Sequence, residues 1–317
     1  MGKNVYISGG SGFLGRQIAH FVSKKNNIFC PRSTECNLFE FESIKKYFRD
    51  KKMAGTPIDV IINSAAYYGG LNITMAEPAT IFSKNVSMIN NLFTAAAESE
   101  IKKIIVIGSA CAYPENIKGQ MSEKDFWSGP LHESVEGYGF TKKVQLIAQK
   151  AYNKQYGIEG NHLILTNLYG MHDVFHEYRG HAISVLIKRY VDASLEKRDE
   201  VVNWGDGSAI REFLFVEDAA KIISKFIDLP HSLEPVNIGT GIGTSIKTLT
   251  KLIAKYANYT GNVKWDITKP SGVKQKVLDT SILKSLMPDF TSTTLETGLR
   301  KTIDWYTVNK LEADKRL

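Results

Sequence analysis

The sequence predicts an α/β fold: a doubly wound parallel sheet with a smaller C-terminal domain. Three observations predict it. Short apolar runs alternate with helical stripes along most of the chain. The first run, Val5-Tyr6-Ile7-Ser8, leads straight into Gly9-Gly10-Ser11-Gly12-Phe13-Leu14-Gly15, and then into a helix with Leu14, Ile18, Phe21 and Val22 on one side. The length, 317 residues, suits one large α/β unit or two domains sharing a cleft.

Composition narrows the class. Net charge is +7, but lysine and arginine are spread along the chain, with no basic block interleaved with aromatics. That reads as a solvated surface and excludes a nucleic-acid partner; an anionic small ligand explains the excess better. Three cysteines, Cys30, Cys36 and Cys111, argue against a disulfide framework and against zinc. Met1-Gly2-Lys3-Asn4-Val5 enters a strand with no signal peptide before it, and no apolar run approaches about 18 residues. The expectation is a soluble, cytoplasmic protein without a metal.

Each element follows in order. Gly9, Gly12 and Gly15 permit a tight turn, close approach to a pyrophosphate, and helix-on-sheet packing. With Phe13 and Leu14 they form a dinucleotide-binding turn of the Rossmann kind, whose helix start offers free N–H groups to phosphate. Asn27-Ile28-Phe29-Cys30 is the second strand. An acidic residue at its end would bond a ribose hydroxyl; Arg32 stands there instead, and an arginine pairs with a 2′-phosphate, so the cofactor is NADP(H). A helix follows around residues 41–48. The strand Ile58 to Ala66 ends in small residues, among them Ala65, against which a flat ligand can lie. Tyr67-Tyr68-Gly69-Gly70 is a candidate substrate contact. The next helix carries Phe82, Val86, Ile89, Phe93 and Ala97 along one face, with Asn85 placed to hydrogen-bond backbone near the site.

Lys103-Ile104-Ile105-Val106-Ile107 is a buried strand delivering Ser109 and Cys111 to its carboxyl end, where open α/β sheets bind ligands. Read as extended chain, residues 109 and 111 point the same way. The helix beginning near Tyr138 puts a phenol and the amine of Lys142 on one face. Val144, Ile147, Ala148, Ala151 and Tyr152 form an apolar stripe expected to pack on the opposite face. His162-Leu163-Ile164-Leu165 is the next strand. Beyond Gly170 a polar stretch to Gly180 reads as a loop over a ligand. Strands near residues 201–204, 211–216, 236–239 and 264–267 and helices near 183, 217–225, 246–256 and 295–306 complete the chain. Residues 1–170 form the cofactor domain, segments near 211–240 return to it, and 171–317 mainly bind substrate.

The chemistry is that of a carbonyl reductase. Ketone reduction needs hydride at carbon and a proton at oxygen. A phenol near pKa 10 is a poor acid–base group at neutrality unless its phenolate is stabilised, and Lys142 supplies that charge. Ser109 donates to the carbonyl oxygen. Asn85 joins Gly9, Gly12, Phe13, Leu14, Gly15, Arg32, Ala65, Tyr138 and Lys142 in the cofactor set.

These motifs resemble the extended short-chain dehydrogenases/reductases, and more narrowly the GDP-L-fucose synthase family, bifunctional epimerase/reductases of GDP-4-keto-6-deoxymannose. The resemblance runs through Gly108-Ser109-Ala110-Cys111-Ala112-Tyr113-Pro114, Thr166-Asn167-Leu168-Tyr169-Gly170 with His172-Asp173, Trp204-Gly205, Arg211-Glu212-Phe213-Leu214, Asn237-Ile238-Gly239-Thr240-Gly241, and Lys269-Pro270 with Gly272 and Lys276. It implies that Ser109, Tyr138 and Lys142 reduce C4, and that Cys111 and His181 invert C3 and C5. A thiol and an imidazole suit that exchange, since both titrate near neutrality. Nucleotide contacts carry over to Asn167, Arg189, Trp204, Arg211 and Lys276. A homodimer is implied as well. The chain departs from the pattern at Ser11, Tyr67-Tyr68, Met171, Ser184 and across residues 115–136, mostly near the sugar. Related GDP-4-keto sugars, a 3,6-dideoxy sugar leading to GDP-L-colitose or a heptose, therefore stand as alternatives, and a non-catalytic NADP-binding sensor as a remote one.

Overall fold

Six of the apolar runs assemble into one parallel sheet. The computed structural model describes residues 2–268 and 273–316. The first half contains β1 (Asn4–Ser8), α1 (Phe13–Val22), β2 (Asn27–Phe29), α2 (Phe41–Met53), β3 (Val60–Asn63), α3 (Leu71–Ala76), α4 (Pro78–Glu98), β4 (Lys103–Ser109), α5 (Glu136–Tyr156) and β5 (Glu159–Leu165). The second half contains β6 (Asn167–Tyr169), α6 (Ala182–Leu195), β7 (Glu200–Trp204), β8 (Ile210–Phe215), α7 (Val216–Lys225), β9 (Val236–Ile238), β10 (Gly243–Ser245), α8 (Ile246–Tyr256), β11 (Asn262–Asp266), β12 (Gln275–Lys276), α9 (Ser281–Leu286) and α10 (Leu295–Val308).

The sheet runs β2-β1-β3-β4-β5-β9, parallel throughout. Strand order reverses at β1, so the β1–β3 edge is the switch point where such sheets open a crevice. Helices cover both faces, which is why β4 reads as an unbroken run: Ile104, Ile105 and Val106 have no exposed surface. Burying each side chain of that kind is worth roughly 1.5–3 kcal/mol.

The returning segment divides. β9 joins the sheet, and α7 lines α1 through Ala219, Ala220, Ile222 and Ile223 in the same core. β8 does not join it. It forms a second sheet with β6, β10 and β12, while β7 pairs only with β11. Residues 269, 270 and 272, three of those carrying the family resemblance, lie outside the described residues.

α5 corrects a sequence expectation. Its buried residues include Tyr138, Lys142, Gln145 and Gln149, spaced along one inner face, whereas Ile147 is 54% exposed. Val144, Ala148 and Tyr152 turn sideways toward the Phe93 cluster of α4. The apolar stripe thus meets a neighbouring helix and the outside, and the polar stripe meets the sheet. Glycines make room for it. A Cβ on Gly160 would stand 2.8 Å from Gln149 Nε2, and on the neighbouring strand one on Gly108 would stand 2.5 Å from the ring of His162 on β5. α5 ends on Gly157 in the left-handed region (φ 68°), a conformation glycine adopts without strain. Phe82 on α4 likewise faces outward, 43% exposed, and does not join Ile89 and Phe93 in the core.

Candidate active site

The cofactor end is built from backbone. Gly9 takes φ 67°, and Gly12 N–H donates to the Gly9 carbonyl at 2.9 Å, closing the turn before α1. A Cβ on Gly15 would lie 2.0 Å from the Gly9 oxygen, so only glycine lets the helix sit this close. Phe13 and Leu14 start α1, leaving its first N–H groups at the mouth of the turn. Ala65 N–H donates to Ser8 Oγ at 3.3 Å, and Ser8 in turn donates to Asn63, so the ends of β1 and β3 are laced together. Arg32 is exposed just beyond β2, its backbone N–H held by Glu35. Asn85 is buried and committed. Its amide donates to the Tyr67 and Ile81 carbonyls at 2.8 and 2.7 Å, and it accepts the Tyr67 N–H at 3.0 Å. It fixes the turn carrying Tyr67, as expected of a residue bonding backbone near the site.

The reducing group sits at the carboxyl end of β4. That strand stops at Ser109, and a 3-10 turn follows over Ala110–Ala112, with Ser109 Oγ accepting the Cys111 N–H at 3.2 Å. The extended reading of 109 and 111 is therefore wrong, because the hydroxyl caps the turn. Cys111 still reaches the site: it packs in one cluster with Tyr67, Tyr68, Ile73, Ile81 and Tyr138. Lys142 donates to the Ile107 carbonyl at 2.9 Å and lies 5.3 Å from the centre of the Tyr138 ring. Burial pulls the lysine down to about 8. The Tyr138 phenol is raised well above its ordinary value, by burial first and then by Tyr68 and Cys111. Lys142 lies one helical turn from the phenol, close enough to stabilise a phenolate once the proton has left.

Across the cleft, His181 caps the start of α6, its side chain 39% exposed. Its Nδ1 lies 3.4 Å from Oδ1 of Asp173, a buried carboxylate that also accepts from Val174 N–H at 2.8 Å and from the Ser184 hydroxyl. Burial lowers the imidazole pKa, but the Asp173 charge and hydrogen bond outweigh burial and leave it raised. Ser184, one of the positions at which the chain departs from the family pattern, thus holds the carboxylate that holds the imidazole.

Between the halves stands Tyr68. Its ring centre is 4.4 Å from that of Tyr138 and 5.8 Å from that of His181, stacked on the latter at 21°. Sequence reasoning named its loop but not its position, and it missed Asp173 as a support. An acidic residue inside a polar loop eight positions before a histidine was the only signal for the latter.

The nucleotide set divides. Lys276 on β12 is in register with Arg211 on β8, which places two cations side by side. Asn167 donates to the Glu212 carbonyl at 2.9 Å. Arg189 binds Glu177 at 2.9 Å and the Val202 carbonyl at 3.3 Å, which brings it beside β7, where Trp204 is 61% exposed and so is no core residue. A cleft of about 590 Å³, lined by residues 115–119 and 273–275 with His132, opens along the chain leading to Lys276. Glu212 is the unforeseen support here. Fully buried, it accepts the backbone N–H groups of Thr240, Gly241 and Leu278 and so joins β8 to the chain after β9 and β12.

A glycine turn, the Ser109, Tyr138 and Lys142 group and a facing imidazole suit a nucleotide-dependent enzyme, and the chain belongs to the NAD dependent epimerase/dehydratase family, which matches residues 5–239. Its relatives are more particular. It is 31% identical to GDP-L-fucose synthase of Escherichia coli (strain K12), over 97% of this chain and 98% of that one. It is also 31% identical to GDP-L-colitose synthase of Yersinia pseudotuberculosis, over 95% and 97%. A crystal structure of a GDP-L-fucose synthetase from Naegleria fowleri bound to NADP superposes with a TM-score of 0.90 at 26% identity, covering 98% of this chain and 95% of that one.

Proposed function

We propose that the protein is an NADPH-dependent epimerase/reductase that converts GDP-4-keto-6-deoxy-D-mannose to GDP-L-fucose, by C3 and C5 epimerisation followed by C4 reduction. One observation carries the reading. Tyr138, Cys111 and His181, from three separate segments, converge around a single ring, that of Tyr68.

NADP(H) fits the β1–α1 turn, because the space a Cβ would fill at Gly15 is taken by backbone and the turn offers N–H groups to a diphosphate. Gly9, Gly12, Phe13, Leu14, Gly15 and Ala65 would hold it, with Arg32 against a 2′-phosphate. When bound, it supplies hydride to C4. Tyr138, held protonated by burial, gives its proton to O4. Ser109 orients that oxygen, and the Lys142 ammonium supports the phenolate left behind. Before reduction, the 4-ketone makes the protons at C3 and C5 acidic. Cys111 takes a proton from one face, the electrons move onto O4 as an enolate, and His181 returns a proton to the opposite face. Arg211 and Lys276 would bind the diphosphate, supported by Asn167, Arg189 and Trp204.

The test supplies NADPH with GDP-4-keto-6-deoxymannose or its 3-deoxy counterpart in deuterated water. Oxidation of NADPH with deuterium at C3 and C5 is expected of the first sugar. Tyr138→Phe should slow reduction by about 10²–10⁴-fold yet leave deuterium exchange running. No NADPH oxidation with either sugar sinks the reading.

We further infer a cytoplasmic homodimer. α4 and α5 pack together and leave Phe82, Phe140 and Ile147 exposed on the outside of the pair, an apolar face suited to a second copy. Sedimentation as a dimer, shifted to monomer by Ile147→Glu, is expected; a monomeric parent refutes it.

A further inference from the structure

The sugar end contains a residue that the reaction as described does not use. The ring of Tyr68 occupies the ground between the phenol of Tyr138 and the imidazole of His181. Both neighbours must reach one sugar ring, the phenol at O4 and the imidazole at an adjacent carbon. Whatever substituent lies between those two points meets the Tyr68 face.

The ring is held from both sides. Asn85 fixes the Tyr67 backbone at its N–H and its carbonyl. After Tyr68, Gly70 N–H donates to the Arg179 carbonyl at 2.9 Å, tying this loop to the one that carries His181. A Cβ on Gly70 would stand 2.7 Å from the Gly180 oxygen, so the two loops are in close contact. Thr74 donates to the carbonyls of Gly69 and Gly70, each at 3.3 Å. The Tyr68 ring is thus the apolar surface that lies between the phenol and the imidazole.

We infer that Tyr68 is a specificity residue: its ring is a fixed apolar wall that admits a methyl group on the sugar carbon beside C4 and rejects a longer or hydroxylated substituent. The inference rests on the epimerase/reductase reading and deepens it, by assigning the preference for a 6-deoxyhexose over a heptose to one side chain. The physical basis is twofold. A wall fixed by backbone hydrogen bonds does not retreat for an added carbon. A hydroxyl pressed against it loses its water partners and gains none.

The experiment compares kcat/KM for GDP-4-keto-6-deoxymannose and for a GDP-4-keto-heptose, using the parent, Tyr68→Phe, Tyr68→Val and Tyr68→Ala. The parent should prefer the 6-deoxyhexose by about 10–200-fold, the range one added methylene produces in an apolar pocket. Tyr68→Phe should keep that ratio. Tyr68→Val and Tyr68→Ala should reduce it at least about tenfold, chiefly by lowering KM for the heptose. NADPH binding by fluorescence, unchanged across the series, shows that the variants fold. If Tyr68→Ala is insoluble, Tyr68→Val decides. An unchanged ratio in a folded small-residue variant overturns the inference and leaves the function standing. A parent that turns over neither sugar overturns the function, and the inference with it.

Discussion

The two ends of the cleft are made of different material. At the cofactor end the contacts are backbone: Gly9, Gly12 and Gly15 bring strand and helix together with no side chain between them. At the sugar end they are side chains, Cys111, Tyr138, Tyr68 and His181, delivered by a 3-10 turn, a helix, a loop and a helix cap. A backbone surface suits a ligand part that stays the same across a family. A side-chain surface is where one substitution changes the substrate. The turn at the first end is seven neighbouring residues, 9–15, whereas the second needs segments more than a hundred positions apart.

The sharpest way to break this contrast is Gly15→Ala. Its methyl group would sit 2.0 Å from the Gly9 oxygen, and that atom is backbone that cannot rotate away. NADPH affinity should fall by about a hundredfold, at the upper end of the roughly 1–3 kcal/mol of ordinary overpacking, since the turn itself is displaced. Fluorescence titration reads it, and circular dichroism shows whether the fold survives. Affinity within threefold of the parent would mean that the turn is not built by close approach, and the distinction between the two ends would lose its basis.

That difference in material also explains what was legible. The glycine turn and the Tyr138–Lys142 pair are local patterns, so the fold, the turn before α1 and the juxtaposition of phenol and amine on α5 could be read directly. The α5 faces were misread because the more conspicuous stripe was apolar. A helix caught between a sheet and another helix has two covered sides, and here the polar one faces inward, with Gln145 Oε1 and both amide atoms of Gln149 buried without a hydrogen-bond partner among the described residues. No periodicity argument ranks two covered faces. The family resemblance places Cys111 at the site; the extended geometry read beside it fails, because the chain turns immediately after Ser109. Asp173 and Tyr68 act only through contacts between loops, such as Gly70 with Arg179, and no local pattern encodes those.

Asp173→Asn probes the side-chain end more gently. The carboxylate is fully buried, touches His181 Nδ1 and accepts the Ser184 hydroxyl, and the amide keeps nearly the same shape. Burial by itself lowers the imidazole pKa; the carboxylate reverses that and leaves it raised. Without the charge, burial prevails and the pKa drops below the ordinary value of about 6.5. The sign of the effect follows. In the parent, the stability gained from this pair is complete below the unfolded-state pKa and is lost as pH rises through the raised folded-state pKa. In the variant, less imidazolium remains at neutral pH to return a proton to C3 or C5. Deuterium wash-in at those carbons should slow near neutrality and should recover toward the parent rate as pH is lowered. Binding of NADPH at the backbone end should not change. A pH profile of wash-in that matches the parent's would show that Asp173 does not set the protonation of His181, and His181 would then be a cap of α6 and nothing more.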